Sequence, residues 1–243
     1  MLKYYAKTDI GLHRSCNQDS YITITNNFGD FLALVCDGIG GGKAGDVASG
    51  EFVSYFERIF KDSGPFTSLE MAKEYITYYL RMANRHVYEL SLTSKSLYGM
   101  GTTVTGILIT SFGTLSINLG DSRVYGVLDK RLFRLTNDHT LVNQMLMNGE
   151  ITYEESINHP KKHFLVKAAG VFEEIDFDVH KVKDMKYYLI CSDGLCGYVK
   201  DDELLNIVDS YEYDTCRQKC DELVNLALLK GGYDNITVVV VEP

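Results

Sequence analysis

The order of helical and strand-like segments constrains the fold more than any other feature of this chain. Two long helical patterns, residues 46–60 and 69–90, follow each other directly, and a third spans residues 215–229. Most other apolar residues fall in short runs that are typical of strands, at 31–36, 103–110, 115–119, 123–128, 187–191 and 236–241. Adjacent helices and successive strands favour an α+β fold, with an antiparallel sheet covered by helices, over strict strand-helix alternation.

The length and the absence of repeats predict one domain. A chain of 243 residues can bury one large core without disulfides or a structural metal, and we find no linker longer than a loop, so we expect a single domain over residues 1–243. The polar segment at about 138–171 fits neither pattern cleanly and is predicted to be a surface insertion. The six cysteines lack a C-x-x-C pair, which favours reduced and mostly buried thiols.

The charge balance argues against two classes of partner. The formal net charge is -9, whereas nucleic acids and anionic membranes reward clustered Lys and Arg. The chain also contains no run of 18 apolar residues and no leader-like start. We therefore expect a cytoplasmic protein that has no nucleic-acid or membrane partner.

Four aspartates lie beside apolar strands, each close to a glycine: Asp37, Asp121, Asp193 and Asp234. An ordinary Asp-Gly turn explains any single one of them. Four together are harder to explain, because each buried carboxylate costs on the order of several kcal/mol unless a partner neutralises it. Nearby Lys and Arg are too few, and all-oxygen ligation suits Mg²⁺ or Mn²⁺. Paired ions of this kind suit the hydrolysis of phosphate esters.

Six short motifs follow one another along the chain: residues 14–20 (RSCNQDS), 35–41 (VCDGIGG), 101–103 (GTT), 119–123 (LGDSR), 192–194 (SDG) and 232–237 (GYDNIT). In this order they resemble the metal-dependent serine/threonine protein phosphatases of the 2C class, especially the compact bacterial type. The resemblance covers essentially the whole chain. It implies a four-layer αββα sandwich, in which two antiparallel sheets are flanked by helix pairs, with residues 138–171 as a flap.

The resemblance also implies a reaction and a metal centre. The reaction is the hydrolysis of phosphoserine and phosphothreonine in proteins by metal-activated water, at two tightly bound Mn²⁺ or Mg²⁺ ions and a third, weaker one. Asp37 would bridge two ions, and the Gly38 carbonyl would bind one of them. Asp193 and Asp234 would complete the other, and Asp121 would share the third ion with Asp193.

Two further roles and the partners rest on the same resemblance. Arg14 would bind the substrate phosphate, since a guanidinium donates two parallel hydrogen bonds. Asp19 would act with Asp37 and Asp193 in catalysis by orienting a metal-bound water. Expected partners are phosphoprotein substrates, including a serine/threonine kinase whose action the chain would oppose, and the chain is expected to be a monomer.

Three positions depart from common family patterns. Ile39 stands where many eukaryotic members have a histidine proposed as general acid, and Gln18 stands where many have a glutamate. Both of those roles are therefore not transferred to this chain. Gly42 stands where a histidine often follows the glycines in bacterial members.

Two other functions compete with hydrolysis. The pattern Gly40-x-Gly42-x-x-Gly45 matches a dinucleotide-binding fingerprint, but that fold needs a second strand after the helix, whereas another helix is predicted here. A catalytically inactive module that binds phosphoproteins is the second alternative. A degenerate protein of that kind should first lose a ligand aspartate, and all four are present, together with Arg14.

Overall fold

The structure, a computed structural model, describes residues 2–39 and 44–243. Within these ranges the chain forms eleven strands and seven helices. The strands are β1 (Lys3–Asp9), β2 (Asp19–Thr25), β3 (Phe31–Ile39), β4 (Gly101–Thr102), β5 (Val104–Thr110), β6 (Gly113–Leu119), β7 (Arg123–Leu128), β8 (Arg131–Arg134), β9 (Asp178–Val182), β10 (Tyr187–Cys191) and β11 (Ile236–Glu242). The helices are α1 (Gly45–Phe60), α2 (Leu69–Ser91), α3 (Leu141–Met147), α4 (Tyr153–Ile157), α5 (Asp193–Cys196), α6 (Asp201–Val208) and α7 (Cys216–Leu229).

Two antiparallel sheets pack face to face. One has the strand order β1-β11-β10-β7-β8, and the other has the order β2-β3-β5-β6-β9, with β4 paired to the end of β3. Helices α1 and α2 cover the second sheet, and α5 to α7 cover the first. The expected α+β fold with αββα layers is therefore confirmed. Because α2 follows α1 without a strand between them, the strand-helix-strand unit of a dinucleotide-binding fold does not form here.

The sequence of β3 shows why a strand of this sandwich is apolar throughout. Three of its side chains point into the core between the two sheets: Phe31, Ala33 and Val35. The three that alternate with them pack under the helices: Leu32, Leu34 and Cys36. Successive side chains of a strand point to opposite faces, so a strand buried on both sides needs an unbroken apolar run.

Most predicted elements are confirmed within one or two residues, with two informative differences. The strand predicted at 31–36 continues to Ile39, so Asp37 lies inside β3 and does not follow it as expected. Strand β2 was not expected, because Ile22 and Ile24 are its only aliphatic residues and it lacks the apolar run that marks the predicted strands. Helices α3 to α6 have eight residues or fewer, which is too short for a clear helical period.

Several other expectations concern the chain as a whole. All six cysteines are free thiols, and only Cys16 among them is exposed. In the described ranges, no helix has the length and apolar character needed to cross a bilayer. Gly40 and Gly42 of the glycine pattern, including the departure at Gly42, lie outside the described residues, and the last glycine, Gly45, begins α1. The single domain over 1–243 and the insertion at 138–171 stay predictions.

Candidate active site

Two aspartates face each other across the β2–β3 strand pair. Asp19 opens β2, Asp37 lies near the end of β3, and the antiparallel register places them directly opposite each other. Residues in such positions have Cβ atoms roughly 4.5–5.5 Å apart. The Asp37 amide donates to Thr103 Oγ1 at 3.0 Å, which fixes the end of β3 against the next strand. Strand pairing alone therefore brings Asp19, which is buried, next to Asp37, which is half-buried.

Asp193 reaches the same point from the other sheet. It begins α5 one residue after the end of β10, and it lies close enough to Asp37 and Asp234 for both carboxyl groups to influence its pKa. The preceding residue, Ser192, donates from Oγ to Asp19 Oδ2 at 2.7 Å and accepts from the Thr237 amide at 2.9 Å. Ser192 thus ties the two sheets together beside the carboxyl cluster.

Asp234 precedes β11 and pairs with Arg14. The Arg14 Nη2 donates to Asp234 Oδ2 at 2.7 Å, and the Asn235 amide donates to Asp234 Oδ1 at 2.9 Å. The Asn235 side chain also accepts from the Gln18 amide at 2.8 Å and donates to the carbonyl of Cys16 at 3.0 Å. Asn235 therefore holds the loop that carries Arg14 against the start of β11.

Asp121 lies in the turn between β6 and β7, and a histidine clamps that turn. Gly120 has a φ of +110°, and a Cβ at this position would lie 2.6 Å from the Thr103 Cβ, so the turn requires glycine. The Gly120 amide donates to His139 Nδ1 at 3.2 Å, and the His139 amide donates to the Gly120 carbonyl at 2.8 Å. The other ring nitrogen, Nε2, faces Asp178 Oδ2 at 3.1 Å, so the ring proton lies on Nε2.

The electrostatics of this cluster disfavour charge on its carboxyl groups. Burial raises the pKa of Asp19 to about 7 and the pKa of Asp121 to about 8. Burial, followed by the neighbouring carboxylates, raises the pKa of Asp37 well above its usual range, and burial also raises the pKa of Asp193. The hydrogen bond to Asp234 is the main reason why the pKa of Arg14 is raised. The cluster needs bound protons or bound cations to offset its negative charge.

The residues fit hard divalent cations. Asp19 Oδ1 and Asp193 Oδ1 are buried and have no hydrogen-bond partner in the described part of the chain. Carboxylate oxygens are the ligands that Mg²⁺ and Mn²⁺ prefer. Within residues 2–39 and 44–243, no three or more His, Cys, Asp or Glu side chains are grouped closely enough to hold a metal ion. Mg²⁺ keeps several waters and binds through one or two carboxylates, so the two unpartnered oxygens are the observation that fits such an ion.

The predicted insertion forms one wall of a cavity beside this cluster. It contains α3 and α4, and the β-bridge Thr140–Leu165 closes its base. The cavity has a volume of about 730 Å³ and is lined by Asp121 and Asp193 on the sheet side and by Lys162 and His163 on the insertion side. The insertion therefore lies where it can contact a molecule that reaches the carboxyl groups.

Most of the site residues expected from the sequence lie close together in the structure. The sequence analysis did not identify four further residues that hold them in place. Arg14, Asp19, Asp37, Asp193 and Asp234 are linked by the contacts described above, and Asp121 shares the cavity with Asp193. The missed residues are Thr103, Ser192, Asn235 and His139. The first three stand inside quoted motifs, which was the available signal. His139 is 18 positions from Asp121, and only the fold shows their relation.

Several known proteins are similar to this chain over most of its length. The Protein phosphatase 2C family model matches residues 13–226. The "Serine/threonine phosphatase stp" of Listeria monocytogenes serotype 4b is 34% identical over 238 residues, which cover 97% of this chain and 94% of that protein. "Protein phosphatase PhpP" of Streptococcus pneumoniae serotype 2 is 33% identical over 236 residues, 96% of this chain and 94% of that protein.

A solved structure gives the same answer for the fold. The crystal structure of the serine/threonine phosphatase Stp1 from Staphylococcus aureus has a TM-score of 0.92 to this chain and 30% sequence identity, and covers 100% of this chain and 95% of that one. The family match extends over most of the chain, from the loop before Arg14 to α7, and includes Asp19, Asp37, Asp121 and Asp193. The chain therefore belongs to the protein phosphatase 2C family.

Proposed function

We propose that this chain hydrolyses phosphoserine and phosphothreonine in proteins, with a water activated at a centre of two or three Mg²⁺ or Mn²⁺ ions. Its relatives are named serine/threonine phosphatases, and phosphatases of this family depend on these metals. The observation that carries the proposal is the cluster of Asp19, Asp37 and Asp193, in which two buried carboxylate oxygens, Asp19 Oδ1 and Asp193 Oδ1, have no partner among the described residues.

The proposed ligands are those that the family resemblance implies. Asp37 is assigned the role of bridging two ions, with the Gly38 carbonyl on one of them, and its position opposite Asp19 supports a site at this point. Asp193 and Asp234 are assigned to the other ion. Asp121 lines the same cavity as Asp193, which supports its assignment to a third and weaker ion.

When bound, the ions would lower the pKa of a water for in-line attack and offset charge on the phosphoryl oxygens. Arg14 would bind the substrate phosphate. Its side chain is half-exposed and donates from Nη2 to Asp234, so its other N–H groups can donate to an anion. Asp19 would orient the attacking water with Oδ1, since Ser192 holds its Oδ2. Ile39 has no acidic proton, so it cannot act as the general acid that protonates the leaving alkoxide.

The insertion and the partners complete the proposal. We assign the insertion at 138–171 to the choice of protein substrate, because Lys162 and His163 line the cavity beside Asp193. The substrates would include a serine/threonine kinase whose phosphorylation reactions this chain reverses. The chain would act as a monomer with one domain.

Hydrolysis of a phosphothreonine peptide by the purified chain tests this function. Release of phosphate should require added Mn²⁺ or Mg²⁺, stop in excess chelator, and not return with Zn²⁺. An inactive phosphoprotein-binding module would bind the same peptide without releasing phosphate under any of these conditions. Full turnover in excess chelator would contradict the metal centre.

A further inference from the structure

Three aromatic rings form an exposed surface beside Arg14, which we call the aromatic shelf: His13, Tyr198 and Tyr233. The His13 and Tyr233 rings are stacked, with centroids 4.9 Å apart and an interplanar angle of 21°. The Tyr198 and Tyr233 centroids are 5.4 Å apart. The rings come from three loops, so only the fold brings them together.

The backbone fixes the shelf next to the proposed phosphate site. His13 directly precedes Arg14, and Tyr233 directly precedes Asp234, the residue that Arg14 contacts at 2.7 Å. The Leu12 amide donates to the Gly232 carbonyl at 2.7 Å and joins the two loops. The Tyr233 ring folds over Gly231, where a Cβ would collide with the ring, so a glycine at 231 makes room for it.

The shelf is exposed although its residues are large. Tyr233 is 51% exposed and Tyr198 is 38% exposed, and His13 is exposed as well. Tyr198 also lines the cavity that contains Asp121 and Asp193. A chain that runs from this cavity across Arg14 would therefore lie on the shelf next.

The charge of this region favours one kind of side chain. The faces of aromatic rings carry negative electrostatic potential, which attracts Lys and Arg. Asp201 and Asp202 stand at the exposed start of α6, and Asp201 lines the same cavity as Tyr198, together with the intervening Lys200. The formal net charge of the whole chain is -9. The ring faces favour a cationic side chain over an acidic one, and an aliphatic side chain would gain nothing from their electrostatic potential.

We propose that the aromatic shelf binds an arginine or lysine side chain that flanks the phosphorylated residue, and so selects basic phosphoprotein segments. This inference rests on the proposed phosphatase function and specifies its substrate class. Cation–π contacts of this kind give about 0.5–2 kcal/mol, which corresponds to a preference of roughly 2- to 30-fold in kcat/KM.

The test compares phosphothreonine peptides that differ at single flanking positions, carrying either arginine or the uncharged norleucine. We expect the wild-type protein with Mn²⁺ to prefer arginine at one or more positions. Tyr233→Leu and Tyr198→Leu should each bring this preference close to one, whereas Tyr233→Phe, which retains the ring, should keep it. Tyr78→Leu is the matched control, since Tyr78 is 57% exposed but lies on α2, outside the shelf.

The possible outcomes separate this inference from the function on which it rests. If no phosphopeptide is hydrolysed even with Mn²⁺, the proposed function itself is wrong. The aromatic shelf does not bind a basic side chain if the peptides are hydrolysed without a preference for arginine. The same conclusion follows if both leucine variants retain the preference of the wild type. Melting temperatures identify a variant that fails to fold, and the two leucine variants test the shelf independently.

Discussion

Replacing Asp121 by Asn should stabilise the metal-free protein. Burial raises the pKa of Asp121 to about 8, from an ordinary value of 3.8. At pH 7 the unfolded chain releases this proton, whereas the folded state keeps it. This difference lowers the free energy of unfolding by about 4 kcal/mol. Structural relaxation and water penetration relieve much of this cost in the wild type. We therefore expect Asp121→Asn to raise the free energy of unfolding by about 1–2 kcal/mol. For a chain of this size, that raises Tm by roughly 2–8 °C.

The gain of Asp121→Asn should depend on pH in a defined direction. The folded pKa lies above the unfolded one, so the folded state binds more protons between about pH 4 and pH 8. Wild-type stability therefore falls as pH rises through this window, whereas Asn has no proton to release. The advantage of the variant should be small at about pH 5 and largest at about pH 8.

Thermal unfolding in excess chelator at these two pH values measures the effect. Asp176→Asn is the control, because the Asp176 side chain is 80% exposed and should show no pH-dependent gain. Added Mn²⁺ should reduce the difference in Tm between Asp121→Asn and wild type, because it stabilises the carboxyl cluster of the wild type more than that of the variant. A variant that is no more stable than wild type in chelator at pH 8, or that gains equally at pH 5, would refute the reasoning.

Three further predictions concern turnover. We propose that water on the third ion, which Asp121 would help to hold, protonates the leaving alkoxide, whereas nitrophenolate needs no proton. Asp121→Ala should therefore lower kcat for phosphothreonine peptides roughly 10- to 100-fold more than for nitrophenyl phosphate, and equal losses would contradict this role. Arg14→Lys should raise KM for both substrates roughly tenfold, because lysine lacks the planar guanidinium; an unchanged KM would exclude phosphate binding by Arg14. His163→Ala should lower kcat/KM for a phosphoprotein more than for nitrophenyl phosphate, because the insertion is assigned to the choice of protein substrate. Equal losses of kcat/KM for both substrates would indicate a catalytic role for His163 instead.

The sequence predicts the layers of this fold because its long elements have clear periods. Helices α1, α2 and α7 and the central strands β3, β10 and β11 are apolar at the positions that the sandwich buries. Elements with few buried apolar residues escaped prediction because their stability depends on packing with the rest of the chain. β2 is the main example, since Ile22 is its only buried apolar residue.

The candidate site was only partly predictable for the same reason. Carboxylates beside apolar strands are visible in the sequence, so Asp37, Asp193 and Asp234 stand out. That Asp19 lies opposite Asp37 depends on the register of β2 against β3, and a shift by one residue would turn Asp19 to the other face. The clamp of His139 on Gly120 depends on a contact between distant segments, which no local pattern encodes.

Calorimetric titration of the metal-free protein with Mn²⁺ tests the central claim, that the buried aspartates hold catalytic metal ions. We predict two tight sites and a weaker one in the wild type, with release of protons on binding because the carboxyl groups are protonated beforehand. Asp193→Asn should lose tight binding, and Asp176→Asn should bind as the wild type does. Absence of Mn²⁺ binding by the wild type, or unchanged tight binding by Asp193→Asn, would contradict the account.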